Sequence, residues 1–262
     1  DAAPTSVEEF EADMQTAKDA GILPMMTYAK DGGTSFVFQA LMANNSSAED
    51  VQNWILQKSG TFDNQAAQDA ASTLQDWNNK GYMPEGVNAV DASTALSRFC
   101  NGEGLFFPSG NWNLDTVAKA LGDDVQFFAF PGATSEDEPN VAANAGAFYG
   151  IPVNAKNRDA AAAFLDYTQS AEAQQIIVDN SGYLPKSSTL DLKANSALQQ
   201  SMFDAYADVL TSGHTSDFIN NATAGMQSSG LIPNFQLLLD NSITPQEFTK
   251  NVQAQYDKEA KQ

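Results

Sequence analysis

Aromatic side chains set beside amides and glycines are the chemistry this sequence offers. Asn111-Trp112-Asn113 follows the breaker run Pro108-Ser109-Gly110, and Asp31-Gly32-Gly33-Thr34 is a polar glycine turn. Asn144-Ala145-Gly146 with Phe148, and Tyr183 ahead of Leu184-Pro185, are two further places of the same kind. A pyranose ring has apolar C–H faces and a rim of hydroxyls. An aromatic face stacks on the former, while amides, carboxylates and backbone groups bond the latter. For Trp112 the competing reading is packing between a strand and a helix, and spacing alone favours that reading.

The parts for bond-making chemistry are scarce. The chain has one histidine, His214, and one cysteine, Cys100, which excludes an internal disulfide and a cysteine metal cluster. It carries no Gly-rich loop ending in Lys-Ser or Lys-Thr, no dinucleotide fingerprint, no Gly-x-Ser-x-Gly elbow and no paired histidines on a helix. Asp123-Asp124 and Glu136-Asp137-Glu138 fall in polar turns and read as solvated carboxylates. A binding protein rather than an enzyme is expected, with no cofactor and no metal. A glycosidase needs only two carboxylates, so composition leaves that class open. With 33 acidic against 13 basic residues, the net charge of −20 argues against nucleic acid and anionic membrane surfaces as partners.

The elements that must position these groups alternate in type. Ser6 with Glu9 predicts a capped helix ending at Gly21, and Ser47 with Asp50 predicts another carrying Val51, Trp54 and Ile55. Ala67, Ala70, Ala71, Leu74 and Trp77 share one helical face, and its alanines allow close packing. Phe36, Phe38, Leu41 and Met42 suggest a short buried helix. Leu105–Phe107 and Val125–Phe130 read as buried strands, with Ile22–Tyr28 and Ala147–Val153 as two more. Residues 132–144 are the best linker candidate. Helices are expected from Asn157, over Ala171–Asn180 with Ile176 and Ile177 buried, over Ala197–Leu210, and from the Thr244-Pro245-Gln246-Glu247 start. Phe218–Gly230 is a weaker helix because of Gly225. The alternation argues α/β layering, and at 262 residues either one or two domains can bury a core. No run reaches membrane-span length, and composition leaves both a cytosolic and an exported protein open.

The order NGEGLFFPSGNWNL, VQFFAFPG and NAGAFYGIPVNAKNRDAAAAFLDYTQSAEAQQIIVDNSGYLPKSS resembles the extracellular solute-binding proteins of family 1, the maltose-binding-protein-like receptors of ABC importers. SVEEFEADMQTAKDAGILPM and ITPQEFTKNVQAQYDK resemble the same family in the same order. The resemblance implies an α/β, two-lobe periplasmic-binding-protein-like fold of type II, incomplete at the N-terminus, because the family's first pass through one lobe precedes the helix at Ser6. Residues 1–131 would be a second-lobe segment, 132–143 an inter-lobe linker, 144–190 a return segment of the first lobe, and 195–262 helices returning to the second.

It further implies an extracytoplasmic monomer, a cell-surface lipoprotein or periplasmic protein, that binds a carbohydrate and delivers it to ABC transporter permease subunits. Oligosaccharides are the expected ligands, held by stacking and hydroxyl hydrogen bonds with hinge closure. Trp112 matches the ring-stacking aromatic and Asn111 stands beside it. Asp31, Thr34 and Phe36 match another wall, with Ala145, Gly146, Phe148 and Tyr183 completing the candidate set. Relatives also bind polyamines and other non-sugar solutes, which is the alternative reading, ahead of a carboxylate-based glycosidase.

Overall fold

The structure is a computed structural model and describes residues 2–143, 149–181 and 191–260. Its helices are α1 (Val7–Asp19), α2 (Thr34–Asn44), α3 (Ala48–Ile55), α4 (Gln65–Asn79), α5 (Ala92–Cys100), α6 (Leu114–Leu121), α7 (Arg158–Tyr167), α8 (Ala171–Ser181), α9 (Ala197–Ser212), α10 (Ile232–Leu239) and α11 (Pro245–Ala260). Two short strands, β1 (Val141–Ala142) and β2 (Thr215–Ser216), pair in parallel, Val141 opposite Thr215 and Ala142 opposite Ser216. The chain forms two compact units. One comprises Asp1–Ser109, Ala129–Ala143 and Asp208–Gln262, the other Gly110–Phe128 and Asn144–Ala207. No described helix is long and apolar enough to cross a membrane.

Helices begin where cap chemistry puts them. Ser6, Ser47, Asn64 and Asp91 each accept the N–H three residues on. Thr244 and Glu247 exchange bonds in both directions at the start of α11. At α1, Glu9 reaches back one residue further than Ser6, taking the N–H and hydroxyl of Thr5, each at 2.8 Å.

The larger unit is organised on rings. Phe38 of α2 meets Phe62 at 5.6 Å, Phe235 of α10 at 5.2 Å and Phe248 of α11 at 5.4 Å between centroids. Trp54 of α3 stacks on Tyr256 of α11 at 4.8 Å. Ala67, Ala70 and Ala71 of α4 are fully buried, and this small-residue face lets α4 pack closely on both α2 and α11. A second ring cluster surrounds Phe10 of α1, which stacks on Phe106 at 4.3 Å and meets Phe130 edge-on at 5.2 Å. Buried Gln39 of α2 donates to Ser216 Oγ and to the Asp217 carbonyl and accepts the Ile219 N–H, so it holds β2 and the turn after it. Asn44 donates to the Pro131 carbonyl and accepts from Asn140, which ties residues 131–140 to the same helix.

The expected long strands are replaced by extended backbone. Met26 donates to the Phe106 carbonyl at 2.8 Å, and Leu105 and Phe106 donate back to Leu23 and Pro24, but the pairing stops at one bridge, Met25 to Phe106. Pro24 has no N–H to continue a ladder. Nor is Leu105–Phe107 buried on both faces. Leu105 is exposed, while Phe106 and Phe107 are half-buried, Phe106 stacking on Phe10 and Phe107 on Phe99. Val125–Phe130 is likewise extended and half-buried apart from exposed Gln126, and Tyr149–Val153 forms no strand among the described residues. Cys100 is half-buried rather than enclosed.

In the smaller unit, α6 packs on α8, and its buried residues are Leu114 and Val117. The inward face of α8 is Ala173, Gln174 and Val178. Ile176 is exposed and Ile177 half-buried, correcting the expected assignment. Two buried glutamines explain the shift: Gln174 donates to the Thr168 carbonyl and Gln199 to the Val178 carbonyl, so amides are drawn inward with the small apolar residues. Helix α7 buries no residue.

Residues 218–231 are not one helix. A 3₁₀ turn at Ile219–Asn221 is followed by a π-helix, Met226–Leu231, that runs straight into α10. Gly225 caps it, and its N–H donates to Glu259 at 2.8 Å.

Candidate functional site

In the larger unit the candidate groups gather on the turn before α2. Its conformation is set by glycines. Gly32 has φ of 83°, open to glycine at little cost. At Gly33 a Cβ would stand 2.5 Å from the Tyr28 ring, so only glycine lets that ring lie flat against the turn. Burial raises the Tyr28 phenol above its ordinary value, with the nearby Asp31 carboxylate adding to it.

Asp31 is exposed, and its Oδ2 accepts the Ala92 N–H at 2.9 Å, in the first turn of α5. Asp91 caps the same helix end through Thr94 and meets Lys30 at 3.2 Å. The Thr94 bonds, and then Lys30, hold the Asp91 carboxyl down to about 2. Two aspartates on one helix N-terminus thus pin the turn, and part of the Asp31 carboxylate is engaged in that task.

Thr34 is buried, and its hydroxyl has no hydrogen-bond partner. Phe36 is half-buried, 6.1 Å from Phe218 in an edge-on contact. Gln227, on the π-helix, was not foreseen. Its Nε2 donates to the Asp31 carbonyl at 3.0 Å and lies over Gly32, while its Oε1 is buried without a partner. The one sequence signal was the breaker pair Gly225 and Gly230 bracketing Gln-Ser-Ser inside an otherwise helical pattern. A glycine turn flanked by two buried, unpartnered polar atoms is uncommon in a folded protein.

In the smaller unit, Asn111–Asn113 forms a 3₁₀ turn leading into α6. Trp112 is 43% exposed, so the core-packing reading does not hold for it. Gly110 is overlain by the indole, and any side chain there would collide with the ring. The glycine therefore seats the ring, with half-buried Asn111 and Asn113 on either side. That is an aromatic platform with amide neighbours. Ala145, Gly146, Phe148 and Tyr183 lie outside the described residues. Among the described residues no three His, Cys, Asp or Glu side chains are grouped to hold a metal ion.

Residues 1–203 match the family model described as bacterial extracellular solute-binding protein. The fold is similar to a chitin oligosaccharide binding protein (TM-score 0.84, 18% identity, 99% of this chain and 65% of that one). It is also similar to RafE of Streptococcus pneumoniae in complex with raffinose (0.75, 15%, 98% and 66%). A third similar structure is a family 1 extracellular solute-binding protein from Bifidobacterium longum subsp. infantis (0.71, 19%, 98% and 67%). The chain thus spans about two thirds of the length of these proteins, 65% of the first. Comparison with curated proteins finds no match.

Proposed function

Because the chain belongs to the bacterial extracellular solute-binding proteins, we propose that it captures a carbohydrate outside the cytoplasm, as a monomer, and passes it to the permease subunits of an ABC importer. An oligosaccharide is the ligand class we favour. No bond is made or broken in this function; the groups retain the sugar and release it. The observation that carries the reading is Trp112, an indole 43% exposed on a turn that glycine and two asparagines shape around it. Stacking supplies affinity through the ring's apolar face, and the flanking amides bond hydroxyls. The resemblance of the fold to a chitin oligosaccharide binding protein and to RafE in complex with raffinose supports the choice of sugar.

Calorimetry with neutral mono- and oligosaccharides, and with spermidine as the non-sugar arm, tests this. Trp112→Ala should cost about 2 kcal/mol, roughly thirtyfold in Kd, for the best sugar. Unchanged affinity, or binding of spermidine alone, overturns the reading. Sugar products appearing in the same mixture would assign a glycosidase instead.

A further inference from the structure

The larger unit holds a hollow of about 360 Å³ that shares no residue with the candidate groups above. Its floor is apolar and buried: Met42, Val51, Trp54 and Phe62. Its rim is polar and exposed: Ser46, Asp50, Thr61 and Gln65, where the first turn of α4 begins. One group on the floor is unexplained. Trp54 lies against Tyr256 and Phe62, is 3% exposed, and its indole N–H has no hydrogen-bond partner. A buried N–H without an acceptor is costly, and native structures keep few of them.

The lining restricts what could answer that donor. The indole N–H requires an acceptor, which an ammonium lacks. The Asp50 carboxylate on the rim requires a donor and repels anions; its Oδ2 takes the Ser47 hydroxyl at 2.7 Å, and Oδ1 remains for another partner. No lysine, arginine or histidine lines the hollow to neutralise an anion. A hydroxyl accepts and donates at once, and a ring of C–H groups suits the floor of Met42, Val51 and Phe62. The Gln65 side-chain carbonyl oxygen and the N–H groups of Gln65 and Ala66, which precede the Ala67 N–H that Asn64 caps, complete a hydroxyl-binding rim. The volume is at the lower end of ligand pockets. The geometry points to a second saccharide site: a neutral sugar ring lying against α3 and the start of α4, one hydroxyl on the Trp54 N–H and another on Asp50.

The three tryptophans make this measurable, since each gives one indole signal in ¹⁵N-labelled protein. Trp77, bonded to Glu11 at 2.7 Å, is an internal reference, and Trp112 reports the site proposed above. Galactose, xylose and N-acetylglucosamine should each be titrated, with spermidine and inorganic phosphate as counter-probes. The expected result is a saturable Trp54 shift with at least one sugar and with neither counter-probe. It should persist in Trp112→Ala protein and weaken about fivefold or more in Asp50→Asn. Gln65→Ala is the second variant should Asp50→Asn unfold. A Trp54 signal that no sugar moves, that phosphate or spermidine moves equally, or that moves only while Trp112 is present, overturns the assignment. Loss of the Trp112 response alone bears on the first site and leaves this one standing.

Discussion

Gln227 Nε2 donates to the carbonyl of Asp31 at 3.0 Å, joining residues 196 positions apart. This bond closes the glycine turn from outside, while Ala92 N–H on Asp31 Oδ2 holds it from beneath. Gln227→Ala removes the closure and uncovers Gly32. The expected outcome is a loss of about 1 kcal/mol in sugar binding, roughly fivefold in Kd, with little change in Tm because the side chain is half-buried. Titration calorimetry and thermal melts on the same sample separate the two effects.

Gly110→Ala tests the seating of Trp112. The backbone at Gly110 is extended, open to any residue, so the cost is steric and falls on the indole. The ring must swing off its seat. Affinity should drop about as far as in Trp112→Ala, while the fluorescence maximum of the variant moves to longer wavelength. A variant that binds like the parent would show that the ring's placement does not matter.

Asp91→Asn addresses the helix end that pins the turn. The Asp91 carboxyl sits at about 2 in the folded chain against an ordinary 3.8. A depressed carboxyl stabilises the fold above its unfolded value, and that contribution disappears as pH falls through the folded one. The parent should therefore be more stable than Asp91→Asn at pH 5 and above. The difference should narrow between about pH 4 and pH 2. Denaturant melts across that range read it directly.

Gln39→Leu strips the amide that holds residues 216–219. It leaves the buried Ile219 N–H and Ser216 hydroxyl without their partner. A loss of about 2–3 kcal/mol is expected, larger than for a surface amide. Hydrogen exchange should rise at Ile219 before it rises in α4.

Helix starts were legible because their signals are local. Ser47, Asn64, Asp91 and Thr244 satisfy N–H groups within four residues, so donor and acceptor stand in one short stretch of sequence. The pairing of Met26 with Phe106 was not legible, since it depends on segments far apart in the chain and is cut short by Pro24. Among the candidate groups, spacing pointed Trp112 toward the core, and only the family resemblance singled it out; its exposure follows from the Gly110 turn it lies on. Thr34 did not show itself as a buried hydroxyl, because burial of the turn is decided by Tyr28 lying on Gly33. Gln227 was hidden for a different reason: a period of 3.6 does not describe the turn it sits on.

That wider turn acts as a spare residue stored in the chain. Met226–Leu231 flows into α10 without a break, so deleting one residue, Ser228 for instance, would let the coil tighten to the ordinary pitch. Phe235 and Leu238 would keep their places in the interior, while Gln227 would rotate away from the Asp31 carbonyl. A single codon lost there would reset the glycine turn that Gln227 closes and leave the framework intact.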